Sequence, residues 1–196
     1  MLLVISGLPA TGKSTVAAIV ARRLNAVHLS VDEIENALLG AGLPPGFTTG
    51  VAAYEAVRAA AEQNLALGHS VVVDAVNDSQ AARLTWVNAA AAVGAQLQFV
   101  VLTPPPAGEH RRRLANRSRG LTNVPEPTWE QVEARAASYQ PWSADCVRVD
   151  SGESVEAVVR QIEEVASAGD SAPVKRADIG GVPPSAPRRT NRADLI

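Results

Sequence analysis

Met1-Leu-Leu-Val-Ile-Ser6 runs directly into Gly7-Leu-Pro-Ala-Thr-Gly-Lys-Ser-Thr15, and the helical pattern Val16-Ala-Ala-Ile-Val-Ala-Arg-Arg-Leu24 follows. The middle stretch is G-x-x-x-x-G-K-[ST], set between an apolar strand and a helix, which is the context a phosphate-cradling loop requires. Its glycines let the backbone wrap an anion, while N–H groups and the helix N-terminus point at phosphate. The candidate cradle is Gly7, Ala10, Thr11, Gly12, Lys13, Ser14 and Thr15. Lys13 would reach the β- and γ-phosphates of ATP, and the Ser14 hydroxyl would ligate Mg²⁺. Only two lysines, Lys13 and Lys175, occur among 18 basic residues, so a compact ammonium is used here where arginine supplies positive charge elsewhere.

The 196 residues suit one domain with a possible appendage. Aromatic residues make up only 4% against 46% hydrophobic, so the core must be built from Ala, Val and Leu. A formal charge of −2 gives no global attraction to nucleic acid or membrane. Residues 1–169 carry 13 bases against 17 acids, whereas 170–196 carry 5 against 3. The single cysteine, Cys146, excludes an intrachain disulfide and reads as a buried small hydrophobe. The short N-terminal apolar run lacks a basic leader and reads as a strand; nothing approaches a membrane span, and a cytoplasmic location is expected.

Apolar runs alternate with helical patterns. Strands are expected near 2–6, 26–29, 70–75, 97–102 and 146–149, and helices near 13–24, 31–39, 51–67, 79–93, 106–117, 128–138 and 154–167. Ser30-Val-Asp-Glu33 and Thr128-Trp-Glu-Gln131 have capping-box spacing, and Asn77-Asp78-Ser79 offers a further N-cap. The fold class is therefore α/β: a five-stranded parallel sheet with helices on both faces and its ligand at the carboxyl ends of the strands. From Gly169 onward Pro and Gly are dense and the apolar residues lose their period, so 1–168 reads as the domain and 169–196 as a disordered or loosely docked tail.

Beyond the loop, Asp32 follows a strand end in the first turn of a helix whose dipole favours an ionised carboxylate. It suits a base that accepts a proton from an attacking hydroxyl, or simply a first-turn acid. Asp74 ends the strongest strand, where an acid can support Mg²⁺ or orient the loop lysine. Asn77 fits either an N-cap or a substrate contact, the cap being favoured. Arg113 and Arg117 share a helix face, and Arg119-Gly120 opens a flexible segment. Such arginines suit a lid that closes over ATP and neutralises the transferring phosphoryl group. A solvated basic face or a nucleic-acid patch would be the other readings, and the second lacks interleaved aromatics. His28, His69 and His110 show no metal spacing and are given no chemistry.

Taken together, the loop, the strand-end Asp32, Val71-Val-Val-Asp-Ala-Val-Asn77 with Arg83, and the run from Arg113 to Pro125 resemble a group of AAA-type ATP-binding small P-loop kinases. These are the kinases related to phage polynucleotide 5′-hydroxyl kinase, with zeta-toxin-like and chloramphenicol-phosphotransferase-like relatives, and the resemblance covers roughly residues 1–142. It implies Lys13 and Ser14 as phosphate and Mg²⁺ residues and Asp32 as general base. Arg119 matches the lid arginine of the polynucleotide kinase, whereas the wider family's R-x-x-x-R spacing favours Arg113 and Arg117. Arg83 matches an arginine after the family's D-x-x-N segment and joins Asp32, Glu35 and Asn77 on the substrate side. Glu35 stands where the polynucleotide kinase carries an arginine that grips substrate phosphate. A carboxylate there repels a nucleic-acid backbone and suits hydroxyl or amino groups of a smaller acceptor.

The expected activity is thus ATP- and Mg²⁺-dependent transfer of the γ-phosphoryl group to a hydroxyl of a small molecule, with the Gly- and Pro-rich segment 41–50 shaping the acceptor pocket. A polynucleotide 5′-hydroxyl kinase and an ATP-binding regulatory ATPase or switch are the alternatives.

Overall fold

The structure, a computed structural model, describes residues 1–142 and 146–170. Five strands, β1 (Leu2–Ser6), β2 (Val27–Ser30), β3 (Val71–Ala75), β4 (Leu97–Thr103) and β5 (Cys146–Asp150), form one sheet in the order β2-β3-β1-β4-β5. Every pairing is parallel. The helices are α1 (Lys13–Arg23), α2 (Val31–Gly40), α3 (Phe47–Ala66), α4 (Gln80–Val93), α5 (Ala107–Ala115), α6 (Trp129–Ser138) and α7 (Val155–Asp170).

The period of two along each strand sorts side chains between two cores. Leu3, Ile5, Val72, Val100 and Leu102 pack against α1 and α7, with Val16, Val20, Val158, Val159 and Ile162 opposite them. Leu2, Val4, Val71 and Val73 face the other way, onto Val57, Ala61, Trp86 and Ala89 of α3 and α4. A smaller cluster of Ala10, Leu114 and Val132, with Trp129 against it, ties α5 and α6 to the loop after β1. Small aliphatic residues fill both cores, and Trp86 is the largest fully buried side chain.

All five strands and seven helices match the sequence expectation in order, with altered bounds. Helix α3 starts at Phe47, so the segment 41–50 is a loop only to Gly46. The Thr49 hydroxyl donates to the Pro44 carbonyl at 2.6 Å and organises this weak-propensity first turn. Thr128 and Gln131 form the reciprocal capping box. Ser30 takes the N-cap position of α2 in extended conformation, but its side chain makes no cap bond. Cys146 is half-buried rather than enclosed. Helix α7 runs through Asp170, and the rest of the expected tail lies outside the described residues.

Asn77 is neither a helix cap nor a cleft residue. Ser79 caps α4 by accepting from the Ala82 N–H, while Asn77 turns the chain at φ +52° with no exposed surface. Its Nδ2 donates to Ser6 Oγ at 2.8 Å, its Oδ1 accepts from Trp86 Nε1 at 2.8 Å, and its N–H donates to the Tyr54 hydroxyl at 3.2 Å. Arg83 is also buried structurally. It donates to the carbonyls of Asn77 (3.0 Å), Pro141 (2.7 Å) and Gln140 (2.5 Å), and its guanidinium lies 4.0 Å from the centre of the Trp142 ring. These two residues fix the exit of β3 from inside. Asn77→Ala strands the Trp86 N–H and the Ser6 hydroxyl in the interior and should cost about 3 kcal/mol in urea unfolding. A residue serving only as a ligand contact would leave the unfolding midpoint unchanged.

Candidate active site

The carboxyl edge of the sheet gathers the chemistry-bearing residues. After Ser6 the chain turns at Gly7, whose φ of +146° and tight surroundings admit no side chain: a Cβ would stand 2.7 Å from the Leu102 carbonyl oxygen. Ala10 (φ +64°) and Gly12 (φ +88°) complete the left-handed turns that bend the loop around the N-terminus of α1. The Thr11 hydroxyl donates to the Leu8 carbonyl at 2.9 Å, and Lys13 Nζ donates to the same oxygen at 2.8 Å. His110 braces the loop from α5, its Nε2 lying 2.7 Å from the Pro9 carbonyl oxygen and its ring edge-on to Trp129.

Lys13 is 6% exposed. Burial pulls its pKa down to about 8 from 10.5; the Asp32 and Asp74 carboxylates oppose that shift, while Arg117 and Arg119 add to it. Asp74 is buried at the end of β3, where its Oδ1 accepts from Ser14 Oγ at 2.8 Å and its Oδ2 lies 2.7 Å from His28 Nε2. The hard oxygens of Ser14 and Asp74, beside the loop, are a donor pair suited to Mg²⁺. Among the described residues no group of three or more His, Cys, Asp or Glu could hold a metal by itself. Such an ion would therefore need oxygens from its phosphate partner and from water.

Helices α5 and α6 and the connection between them carry the arginines. With the loop, Lys13 and Ser14, residues Arg113, Arg117 and Arg119 line a recess of about 230 Å³. Arg113 is tied down, donating to Glu109 at 2.9 Å and to the Ser151 carbonyl at 2.7 Å. Arg117 and Arg119 instead share Glu126, at 3.3 and 2.8 Å, and Arg119 also forms an ion pair with Asp32. Burial, reinforced by the neighbouring Arg119, lowers the pKa of Arg117. The connection is fastened to α2 by Asn123, whose N–H donates to Asn36 Oδ1 at 2.8 Å and whose Nδ2 donates to the Asn36 carbonyl at 3.1 Å.

On the other side of Asp32 lies a cleft of about 520 Å³, bounded by α2, the start of α3 and the turn before α4. Asp32, Glu35, Glu55 and Asp78 contribute four carboxylates to its lining, against the one guanidinium of Arg135. Burial, and then the Asp32 charge, raise the pKa of Glu35. Gly46, Phe47 and Gly50 from the Gly- and Pro-rich segment line this cleft, whereas Asn77 and Arg83 do not. Asp32 is therefore the residue between a cationic recess and an acidic cleft.

Residues 2–139 match the family described as an AAA domain. The chain belongs to this AAA domain family. No curated protein matches it in sequence. Among solved structures, a gluconokinase from Sinorhizobium meliloti 1021 superposes with a TM-score of 0.60 at 20% identity, covering 86% of this chain and 93% of that one. The Mycobacterium tuberculosis APS kinase, in complex with AMPPNP and APS, gives 0.66 at 20% identity over 85% of this chain and 96% of that one. Chaetomium thermophilum Kti12, in complex with ADP-AlF3, gives 0.66 at 18% identity over 88% of this chain and all of that one. At these identities the likeness establishes a shared fold.

The AAA domain also uses residues whose roles the sequence pattern did not announce. His28, His110, Tyr54 and the Asn36–Asn123 pair act through partners distant in the chain, and Glu126 pairs with arginines seven and nine residues before it across an irregular connection; a lone histidine or asparagine carries no spacing signal. Burial of the Lys13 ammonium, only partly offset by the Asp32 and Asp74 carboxylates, makes stability depend on pH. Between about pH 8 and 10.5 the unfolded chain keeps the Lys13 proton and the folded chain does not, so this group makes stability rise with pH across that window. Thermal unfolding of Lys13→Met across the same range should lack that gain.

Proposed function

We propose that this AAA domain is an ATP- and Mg²⁺-dependent kinase acting on a hydroxyl of a small-molecule acceptor. The observation that carries this reading is Asp32, standing between the cationic recess at the loop and the acidic cleft across from it. Triphosphate would lie along Gly7–Thr15, with Lys13 and the lid arginines meeting its γ-phosphoryl oxygens. Ser14 and Asp74 would hold Mg²⁺, which when bound neutralises charge on the β- and γ-phosphate oxygens.

In the step itself, the acceptor oxygen attacks the γ-phosphorus as its proton passes to the Asp32 carboxylate. The bond to the β–γ bridging oxygen breaks, and ADP leaves. Asp32 is bound to Arg119 in this structure, so it becomes available as base when Arg119 turns toward the incoming phosphates. Glu126 holds Arg119 at Nε and Arg117 at Nη1, so the Arg119 Nη1 that now meets Asp32 is the group that would turn to the phosphates. Four carboxylates in the acceptor cleft repel a polyanionic backbone and favour a neutral or amino-bearing polyol.

Terminally labelled ATP with Mg²⁺ tests this against hydroxylated small molecules in one arm and 5′-hydroxyl oligonucleotides in the other. Label is expected in a small molecule. Label on oligonucleotide ends alone, or hydrolysis without any acceptor, would replace this reading with the polynucleotide kinase or the regulatory ATPase. Asp32→Asn should slow transfer about a thousandfold while nucleotide still binds; unchanged turnover would remove Asp32 as the base.

A further inference from the structure

The sheet register brings a histidine from the edge strand to the interior acid of the phosphate site. In the β2–β3 pairing, His28 stands opposite Val72 and Ser30 opposite Asp74. His28, Val72 and Asp74 consequently share the sheet face that α1 covers, since Val72 packs in the α1 core. From there the His28 ring reaches Asp74 Oδ2 at 2.7 Å, leaving Oδ1 to accept from Ser14 Oγ at 2.8 Å. The Asp74 side chain is 3% exposed, whereas the His28 side chain is 27% exposed. The polar contact of the His28 ring is with this carboxylate oxygen.

We propose that His28 is a positioning residue for the metal side of the phosphate site. Its Nε2–H fixes the orientation of the Asp74 carboxylate, so that a single oxygen is turned toward Ser14. The terminal torsion of an aspartate is broad, and a carboxylate held at one oxygen only can swivel away from its ligand. A second donor from the opposite side removes that freedom, as outer partners of ligating groups do at metal sites. His28 lines neither the acceptor cleft nor the recess, so its effect should fall on the metal. This inference rests on the nucleotide- and Mg²⁺-binding reading above.

The test compares His28→Leu, which removes the donor, with His28→Gln, whose amide keeps an N–H at similar reach. Mn²⁺ binding to the protein saturated with a non-hydrolysable ATP analogue is followed by electron paramagnetic resonance. Metal-free analogue affinity and the thermal midpoint are measured alongside. His28→Leu should weaken Mn²⁺ about tenfold with little change in metal-free analogue affinity, and His28→Gln should recover most of the loss. Should His28→Leu not fold, His28→Asn, whose amide is too short to reach Asp74, is expected to give the same Mn²⁺ loss.

Unchanged Mn²⁺ affinity in a folded donor-free variant would overturn the proposal. Parallel losses in metal-free analogue affinity and thermal midpoint would overturn it too, by making His28 merely structural. A wild-type protein that binds no analogue would instead bring down the nucleotide reading on which this inference stands.

Discussion

The interior ammonium of Lys13 is the constraint around which the carboxyl edge of the sheet is organised. A cation at the first position of α1 is disfavoured both by burial and by the positive end of the helix dipole. The fold answers with a carbonyl acceptor from Leu8 and with carboxylates at the ends of two adjacent strands, Asp32 after β2 and Asp74 in β3. Those acids offset only part of the desolvation, and Lys13 stays well below its ordinary range. The connection between α5 and α6 then brings Arg117 and Arg119 to the same recess. The recess concentrates positive charge where the proposed phosphate site needs it.

Charge separation follows from where Asp32 sits. On the loop side the lining is cationic, and on the α2–α3 side it is mainly carboxylate. That division of charge is what the proposed pairing of an anionic donor at the loop with an uncharged or cationic acceptor in the cleft requires. The Arg119–Asp32 ion pair spans that boundary and joins the α5–α6 connection to α2, next to the Asn36–Asn123 contacts that hold the same two parts together. The α5–α6 connection is therefore held against α2 as well as beside the loop. His110 and the Ala10–Leu114–Val132 cluster fasten its base.

The expected architecture was legible because each element has its own local signal. Val71-Val-Val-Asp could be read as a buried strand ending in an acid, and Thr128–Gln131 as a helix start, from residues within a few positions of one another. The start of α3 was not legible, since Phe47-Thr-Thr-Gly50 has poor helix propensity and is organised by a side-chain bond back to Pro44. Ser30 shows the opposite case: capping-box spacing was present, yet no side-chain cap forms. Asn77 and Arg83 lie beside a strand-end acid in sequence and look like ligand contacts there, but their polar groups are turned inward onto Ser6, Trp86, Gln140 and Pro141.

By itself the sequence determined the loop, the order of strands and helices, the parallel sheet and the residue types available for phosphate chemistry. These depend on backbone preferences and on hydrophobic periods within short windows. The tertiary structure alone decided which of those residues meet. It separated the tied Arg113 from Arg117 and Arg119, gave Glu126 its two arginines, and set Arg119 against Asp32. It also brought His28 to Asp74 across two strands. The Arg119–Asp32 and His28–Asp74 contacts join residues far apart in the chain, with geometry fixed by strand register and packing, and the Glu126 pairs depend on the course of an irregular connection that no local period describes.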